Sequence, residues 1–198
     1  VDARPLRGYQ LLDEIGVGAF SIVWRAEQPS VGRDVAVKQI RSELANQPDF
    51  IRRFEAEAHL IARIEHPHVV PLIDFWRDPD SAYLVMRLMR GGTLEQRLAA
   101  GPLSVGETLR LAAEIGAGLS VAHGLSVVHR DVKPGNIFFD EQGNAYLGDF
   151  GIAASVTATT TTDLGSSHGT PAYASPEQLR GDVVGPQADI YSLGTVLR

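Results

Sequence analysis

The residues best suited to chemistry in this 198-residue chain lie between positions 129 and 151. Residues 129–136 read His-Arg-Asp-Val-Lys-Pro-Gly-Asn, so the carboxylate of Asp131 is closely followed by the ammonium group of Lys133 and the amide of Asn136. A second carboxylate, Asp149, comes after two short apolar runs. An Asp and an Asn that converge on one point form a hard-oxygen site suited to a magnesium ion that carries phosphates. Asp131 would then be left to act on a hydroxyl proton.

The two apolar runs predict how these groups are positioned. Ile137–Phe139 and Ala145–Leu147 have the composition of short strands, and a Gly143-Asn144 turn lies between them. Two such strands joined by a Gly-Asn turn predict a β-hairpin. We expect the hairpin to hold the two carboxylates and the amide close together at one end.

The whole segment resembles the catalytic loop and the magnesium loop of protein kinases. The match rests on the six fixed residues of His-Arg-Asp-x-Lys-Pro-x-Asn and on an Asp-Phe-Gly that starts thirteen residues after the Asn. The resemblance implies that Asp131 accepts or orients the substrate hydroxyl proton and that Lys133 neutralises the transferring γ-phosphoryl group of ATP. It also implies that Asn136 and Asp149 bind Mg²⁺, with Mn²⁺ as an alternative.

A glycine-rich turn, residues 16–21, lies between two predicted strands, Tyr9–Ile15 and Ile22–Ala26. Glycines at such a turn let backbone amides approach a phosphate closely, although a plain hairpin shows the same pattern. The turn resembles the kinase glycine-rich loop, with Ser21 at the third glycine position. The residues that the resemblance implies in nucleotide binding are Ile15, Gly16, Val17, Gly18, Ala19, Phe20, Ser21, Val23, Ala36, Lys38, Met86, Arg87, Met89 and Phe138.

A lysine and a glutamate form the next candidate pair. Ala36 and Lys38 share one face of a predicted strand, Asp34–Gln39, because side chains alternate along a strand. Glu57 falls on the apolar stripe of a helix predicted to run from Pro48 to His66-Pro67. An ionised carboxylate on an apolar face is costly unless it is paired, and Lys38 is the natural partner. Protein kinases carry such a lysine–glutamate ion pair.

Two more strands, Val70–Phe75 and Ala82–Arg87, complete the expected first lobe. The fold class that we expect is α+β: a bilobal protein-kinase-like fold with a five-stranded antiparallel N-lobe, one helix in that lobe and a mainly helical C-lobe. The predicted bounds are 9–86 for the N-lobe, 87–92 for the hinge and 93–198 for a partial C-lobe.

Helices dominate the pattern after the predicted hinge. Thr93 and Ser104 are predicted N-caps of two helices, and His123, just before Gly124, is predicted to be a C-terminal residue of the second helix rather than a ligand. The side chains expected to face inward are Leu94, Leu98 and Ala99 on the first helix and Leu109, Ala112, Ile115, Leu119 and Ala122 on the second. A further helix begins near Gln187, and its Asp189 resembles the family aspartate that holds the catalytic-loop backbone.

A polar segment, residues 152–171, separates Asp-Phe-Gly from Ala-Ser-Pro-Glu at 174–177. Without context it would be a flexible loop, but between these two motifs it resembles an activation segment. We expect autophosphorylation in this segment, most of all in the run Thr159–Thr162, because Arg130 precedes Asp131 and a phosphate would give it a bidentate partner. The residues Lys133 and Gly169-Thr170 resemble those of protein kinases of the serine/threonine class. The sequence as a whole resembles the bacterial Hanks-type kinases.

Composition excludes several other classes. The chain is 44% hydrophobic with a net charge of −6, which gives no global electrostatic attraction to nucleic acid or to an anionic membrane. It has no cysteine and no apolar run long enough to span a bilayer. We therefore expect a cytoplasmic domain, and the kinase resemblance implies that its partners are ATP and proteins with Ser/Thr acceptors. Because it opens without Met and stops inside an apolar run, we also expect further C-terminal sequence, without which residues 1–198 would be aggregation-prone.

Two alternatives stay open on the sequence. One is a pseudokinase that keeps the fold as an ATP-binding signalling module, against which stand the intact Lys38, Asp131, Asn136 and Asp149. The other is a small-molecule phosphotransferase of kinase-like fold, against which stands the long Thr-rich segment, since small-molecule relatives generally lack it. The substrate, the activating signal and the oligomeric state do not follow from the residues.

Overall fold

The computed structural model describes residues 4–150 and 172–198, and it divides the chain into two compact units. The first unit comprises residues 1–62 and 71–88, and the second comprises residues 63–70 and 89–198. The assignment of residues 87–92 as a hinge stays a prediction.

In its described residues the first unit holds a six-stranded antiparallel sheet and two helices. Across the sheet the strands are β1 (Arg4–Leu6), β2 (Tyr9–Val17), β3 (Ser21–Gln28), β4 (Arg33–Ile40), β6 (Ser81–Arg87) and β5 (Leu72–Asp78), and helices α1 (Ser42–Ala45) and α2 (Pro48–Ile61) follow β4. The sequence predicts the five longer strands and α2, whereas β1 and α1 are additional. Both are too short for a periodic pattern, and β1 contains a proline, which an edge strand tolerates.

The sheet curls so that its two ends meet. The ring of Tyr9 on β2 stacks on Trp76 of β5 with centroids 5.9 Å apart, and the Tyr9 hydroxyl donates to Asp74, 3.3 Å away. Burial raises the pKa of that hydroxyl, and the neighbouring Asp74 carboxylate raises it further. The enclosed core consists of Tyr9, Leu11, Ala26, Val35, Val37, Trp76, Tyr83 and Val85. The curled sheet is thereby a rigid support for whatever β4 displays on its other face.

Helix α2 packs its aromatic side chains against β5. Phe50 and Phe54 are fully buried, and Phe54 meets Phe75 edge-on at 6.1 Å. The helix ends at Ile61 rather than at His66-Pro67. The prediction extended the helix too far because Ile64 continues the apolar spacing and is also buried. It lies, however, in the segment that follows the helix.

The second unit contains helices around a small hairpin. Its described elements are α3 (Leu94–Ala99), α4 (Val105–Gly124), a 3₁₀ turn (Pro134–Asn136), β7 (Ile137–Phe139), β8 (Ala145–Leu147), α5 (Pro176–Arg180) and α6 (Pro186–Val196). The strand predicted at Val70–Phe75 begins later because Val70 belongs here, where its N–H donates to Leu147 of β8 at 2.8 Å. The β7–β8 hairpin has the predicted bounds, with Phe138 opposite Tyr146.

The predicted caps are confirmed, whereas the predicted buried face of α4 is partly wrong. Thr93 and Ser104 both close capping boxes, with Gln96 and Glu107. The side chains that α4 buries are Leu111, Ile115, Leu119 and Ala122, with Ala112 half-buried. Leu109 is 66% exposed because it lies two residues, about 200° of helix rotation, from Leu111. Leu94 of α3 is buried as predicted, but Leu98 and Ala99 are exposed.

No helix in the described ranges is long and apolar enough to cross a membrane.

Candidate active site

The backbone of the 129–136 loop is held by one buried carboxylate. Asp189 on α6 is 1% exposed, and its two oxygens accept the N–H groups of His129 and Arg130, each at 2.8 Å. The Nε2 of His123, near the end of α4, donates to the same carboxylate at 2.7 Å. Such a buried carboxylate is tolerated because its oxygens have donors on several sides. The contact that the resemblance implies for Asp189 is therefore present.

His129 ties this loop to the end of the hairpin. Its ring is fully buried; Nδ1 accepts the N–H of Asp131 at 3.2 Å, and Nε2 donates to the carbonyl of Gly148 at 3.0 Å. The ring also packs on Phe150, with centroids 4.5 Å apart. Sequence reasoning gave this histidine no role of its own, and the structure makes it the link between the residues before Asp131 and those before Asp149.

Three of the predicted catalytic side chains meet at one oxygen. Oδ2 of Asp131 accepts from Lys133 Nζ at 2.8 Å and from Asn136 Nδ2 at 2.9 Å. The Asn136 amide also donates to the Asp131 carbonyl at 2.8 Å. The 3₁₀ turn, which starts at buried Pro134, brings Asn136 back towards Asp131. Asn136 is buried, whereas Asp131 and Lys133 are half-buried, so the carboxylate is oriented by two donors and still reaches solvent.

The hairpin places Asp149 next to this cluster along the backbone. The N–H of Gly148 donates to the carbonyl of Asn136 at 3.0 Å, and Asp149 follows with a left-handed φ of 61°. A Cβ at position 148 would lie 2.8 Å from Val70 Cγ2 and 3.0 Å from the Phe138 ring, so only glycine fits. Gly151 lies outside the described residues.

The donor set fits a metal ion that is held partly by phosphates. With its Nδ2 used by Asp131, the amide oxygen of Asn136 accepts no hydrogen bond from any residue that the structure describes. Magnesium is typically held by one or two protein oxygens together with substrate phosphates. Consistent with that, no group of three or more His, Cys, Asp or Glu in the described ranges is arranged to hold a metal ion by itself.

The predicted lysine and glutamate both lie in the first unit. Val35 and Val37 of β4 are fully buried, so Ala36 and Lys38 face the other side, as alternation predicts. Glu57 lies on α2 between the buried Phe54 and Ile61 and is itself half-buried. The pairing of Lys38 with Glu57 stays a prediction.

The glycine-rich turn joins β2 to β3. The N–H of Gly18 donates to the carbonyl of Ser21 at 2.8 Å, which closes the turn. A Cβ at position 18 would lie 3.0 Å from the Ser21 hydroxyl, so serine at the third glycine position is accommodated by glycine at the second. Ile15 and Val17 at the end of β2 are 49% and 64% exposed, as expected of side chains that could cover a ligand.

The other predicted nucleotide contacts are placed as follows. Met86 on β6 lies opposite Ala36 on β4, and the N–H of Arg87 donates to the Pro71 carbonyl at 3.2 Å. In the second unit Met89 follows β6, and Phe138 lies on β7; both are half-buried. The remaining predicted contacts lie in or beside the glycine-rich turn; they are Gly16, Ala19, Phe20 and Val23.

Sequence reasoning missed Asp140, which shapes the hairpin turn. Asp140 is 7% exposed and accepts the N–H groups of Gln142 and Asn144, the Asn144 side chain and the Tyr146 hydroxyl. Burial alone would raise the pKa of this carboxyl, but the hydrogen bonds outweigh burial and hold the pKa below its usual value. An Asp before a Gly-Asn turn is a recognisable signal, because Asp side chains commonly accept from backbone two residues on.

Comparison with known proteins decides what this arrangement is. A family model described as the protein kinase domain matches residues 9–198. The chain belongs to the protein kinase family. It is 41% identical over 190 residues to the serine/threonine-protein kinase PrkC of Bacillus subtilis, which covers 96% of this chain and 29% of that protein. It is 40% identical over 194 residues to the serine/threonine-protein kinase PknA of Mycobacterium tuberculosis, covering 95% of this chain and 45% of that protein.

The kinase fold is supported by a solved structure as well. The kinase domain of PknI from Mycobacterium tuberculosis matches with a TM-score of 0.83 at 26% identity, over 100% of this chain and 74% of that one. The expected α+β kinase fold and the resemblance to bacterial Hanks-type kinases are thereby confirmed. The chain spans less than half the length of the two curated relatives named above. Membership in the kinase family implies ATP and a divalent metal ion as cofactors.

Proposed function

We propose that this protein transfers the γ-phosphoryl group of ATP to serine and threonine hydroxyls of protein substrates. The observation that carries the proposal is the convergence of Lys133 and Asn136 on one carboxylate oxygen of Asp131, in a loop whose backbone is fixed by Asp189. Such a cluster suits phosphoryl transfer, because that reaction needs positioning and charge neutralisation more than covalent catalysis.

Each residue has a defined part in the proposed reaction. Asp131 orients the acceptor hydroxyl and takes its proton as the oxygen bonds to the γ-phosphorus and ADP leaves. Lys133 stabilises the charge on the transferring group. Asn136 holds Asp131, and with it the bonded Lys133, in place. The amide oxygen of Asn136 and the carboxylate of Asp149 would hold Mg²⁺, or Mn²⁺ in its place. Bound MgATP supplies the phosphoryl group and a metal that neutralises its oxygens.

The first unit contributes to nucleotide binding in the same proposal. Lys38, oriented by Glu57, would hold the α- and β-phosphates, and Ala36 leaves space for the adenine ring. The glycine-rich turn, residues 16–21, offers backbone N–H groups to the phosphates. The predicted phosphate acceptors of the activation segment, Thr159–Thr162, lie outside the described residues. Autophosphorylation there is part of the proposal, and mass spectrometry after incubation with MgATP tests it.

The proposal is tested by following radiolabelled γ-phosphate with a generic basic protein such as histone as acceptor, and with an aminoglycoside in a parallel reaction. We expect label on protein, as phosphoserine and phosphothreonine, and only when a divalent metal is added. Nucleotide binding without any transfer would support a pseudokinase instead. Transfer to the aminoglycoside alone would support a small-molecule phosphotransferase.

A further inference from the structure

The peptide that joins Arg130 to Asp131 is held on both of its edges. Its carbonyl oxygen, on Arg130, accepts a hydrogen bond from the side-chain amide of Gln178 at 2.7 Å. Its N–H, on Asp131, donates to the ring of His129 at 3.2 Å. A peptide group is planar, so two hydrogen bonds on opposite edges fix its orientation and the direction in which the Asp131 side chain leaves the backbone.

This peptide follows a residue in an unfavourable conformation. Arg130 has a φ of 67°, in the left-handed region that residues with a side chain rarely adopt. Such a conformation persists only where surrounding contacts enforce it. Asp189 holds the N–H of Arg130 at 2.8 Å, and Gln178 holds its carbonyl, so two distant elements enforce it together.

Gln178 is itself oriented by the helix that carries it. On α5 its Oε1 accepts the N–H of Ser175 at 3.0 Å, and its own N–H donates to the Ser175 hydroxyl at 3.4 Å. Ser175 is fully buried, so this capping box is anchored. With the oxygen of the Gln178 amide committed to Ser175, its NH₂ group is directed at the Arg130 carbonyl.

We propose that Gln178 is a positioning residue for Asp131. It links the Ala-Ser-Pro-Glu end of the activation segment to the peptide before the proton acceptor, so the placement of α5 sets the orientation of that peptide. The inference deepens the proposed function and rests on it.

Replacing Gln178 by Glu separates this role from helix capping. Glutamate keeps an oxygen that can accept the Ser175 N–H and is a favoured third residue of a capping box, so α5 should be as stable as before. It loses the NH₂ donor and places a carboxylate oxygen against the Arg130 carbonyl. We expect kcat to fall by between about tenfold and a hundredfold, with the KM for ATP and the melting temperature little changed.

Gln96→Glu on α3 is a matched control. Gln96 closes the same capping box with Thr93, at 2.9 and 3.2 Å, and its side chain makes no further hydrogen bond within the part of the chain that is described. It tests the same chemical change at the same helix position, and its kcat should equal that of the wild type.

Two further variants remove the influence of the introduced charge. Gln178→Leu loses the side-chain acceptor of the capping box and the bond to Arg130 but keeps the Ser175 hydroxyl as cap, whereas Ser175→Ala loses the capping hydroxyl but keeps the donor on Gln178. Both should lower the melting temperature, and only Gln178→Leu should lower kcat.

The proposal is overturned if Gln178→Glu has the kcat of Gln96→Glu, or if Ser175→Ala lowers kcat as much as Gln178→Leu. Steady-state kinetics of the full-length protein with ATP and histone, together with thermal melts, provide these comparisons. A wild-type protein that transfers no phosphate would instead overturn the proposed function, and this inference with it.

Discussion

At the scale of single residues, buried polar groups do most of the positioning in the catalytic loop. Asp189 fixes the backbone before Asp131, and His129 joins that backbone to Gly148. Asp140 fixes the turn of the hairpin that leads to Asp149. Each of these side chains is less than a tenth exposed, so removing one partner leaves others unsatisfied.

Asp140 makes stability depend on pH in a defined direction. Because its pKa in the folded protein is held below the usual value, it stabilises the fold above the pKa of the unfolded chain, and the stabilisation is lost as pH falls through the folded pKa. We expect Asp140→Asn to lower the free energy of unfolding by about 1–3 kcal/mol at neutral pH, because an amide cannot accept as many of the hydrogen bonds.

Urea denaturation of both proteins between neutral and acidic pH measures this effect. The difference between wild type and variant should shrink in the acidic range, where the wild-type carboxyl takes up its proton. A difference that stays constant across the whole range would contradict the assignment. Asp182→Asn is a control, since Asp182 is exposed and bonded to Arg180 on the surface.

At the scale of elements, the C-terminal end of α4 shows a helix stop without glycine at the left-handed position. The N–H of Val127 donates to the Ala122 carbonyl and that of Ser126 to His123, both at 2.9 Å, which is the Schellman pattern. Ser126 is the left-handed residue, with a φ of 62°, whereas Gly124 is the last residue of the helix.

Glycine at position 126 and a residue with a side chain at position 124 should therefore each stabilise the protein. We expect Ser126→Gly to raise the free energy of unfolding by about 0.5–1 kcal/mol, because glycine adopts positive φ at no steric cost. Gly124→Ala should also stabilise, since a Cβ there meets nothing within 4 Å. Urea denaturation tests both, and a destabilised Ser126→Gly would show that the serine side chain contributes more than its backbone strain removes.

The elements were predictable where local chemistry decides them. A Gly-Asn turn between two apolar runs specifies the β7–β8 hairpin, and Thr93 and Ser104 specify helix starts, because these signals act over a few residues. The prediction that Leu109 faces inward on α4 overlooked the helical spacing: Ile115 and Leu119 lie four and eight residues after Leu111, so Leu111 shares their buried face and Leu109 does not. The short strand β1, by contrast, has no periodic pattern of its own and is defined by its pairing with β2.

At the scale of the whole molecule, the motif residues of the site and the support from Asp189 were predictable, whereas the supports from His129 and Gln178 were not. Asp131, Lys133 and Asn136 lie within six residues, so their convergence follows from one turn. Gln178 and Asp189 both contact this loop from far along the chain; the kinase resemblance implied the contact of Asp189, whereas nothing in the sequence indicated that of Gln178. Ser175 and Gln178 have the spacing of a capping box, but that pattern does not indicate the bond from the Gln178 amide to Arg130.

The last two helices and the segment between them expose large apolar side chains. Leu179, Val183, Ile190 and Tyr191 are 57%, 96%, 54% and 49% exposed. Exposed apolar surface favours association. We expect a variant with Leu179→Gln, Val183→Gln and Ile190→Gln to remain monomeric at higher protein concentration than wild type, as measured by light scattering. Val31→Gln, in the β3–β4 turn, should have no such effect, and equal association of all three proteins would contradict the expectation.

The central claim, that Asp131 is the proton acceptor of phosphoryl transfer, is tested most directly by Asp131→Asn. The oxygen of asparagine can still accept from Lys133 and Asn136, so the loop should keep its geometry while the proton acceptor is lost. Transfer of labelled γ-phosphate to histone should fall by about 10²–10⁴-fold, with ATP affinity measured by calorimetry nearly unchanged. Near-normal transfer by Asp131→Asn would contradict the claim.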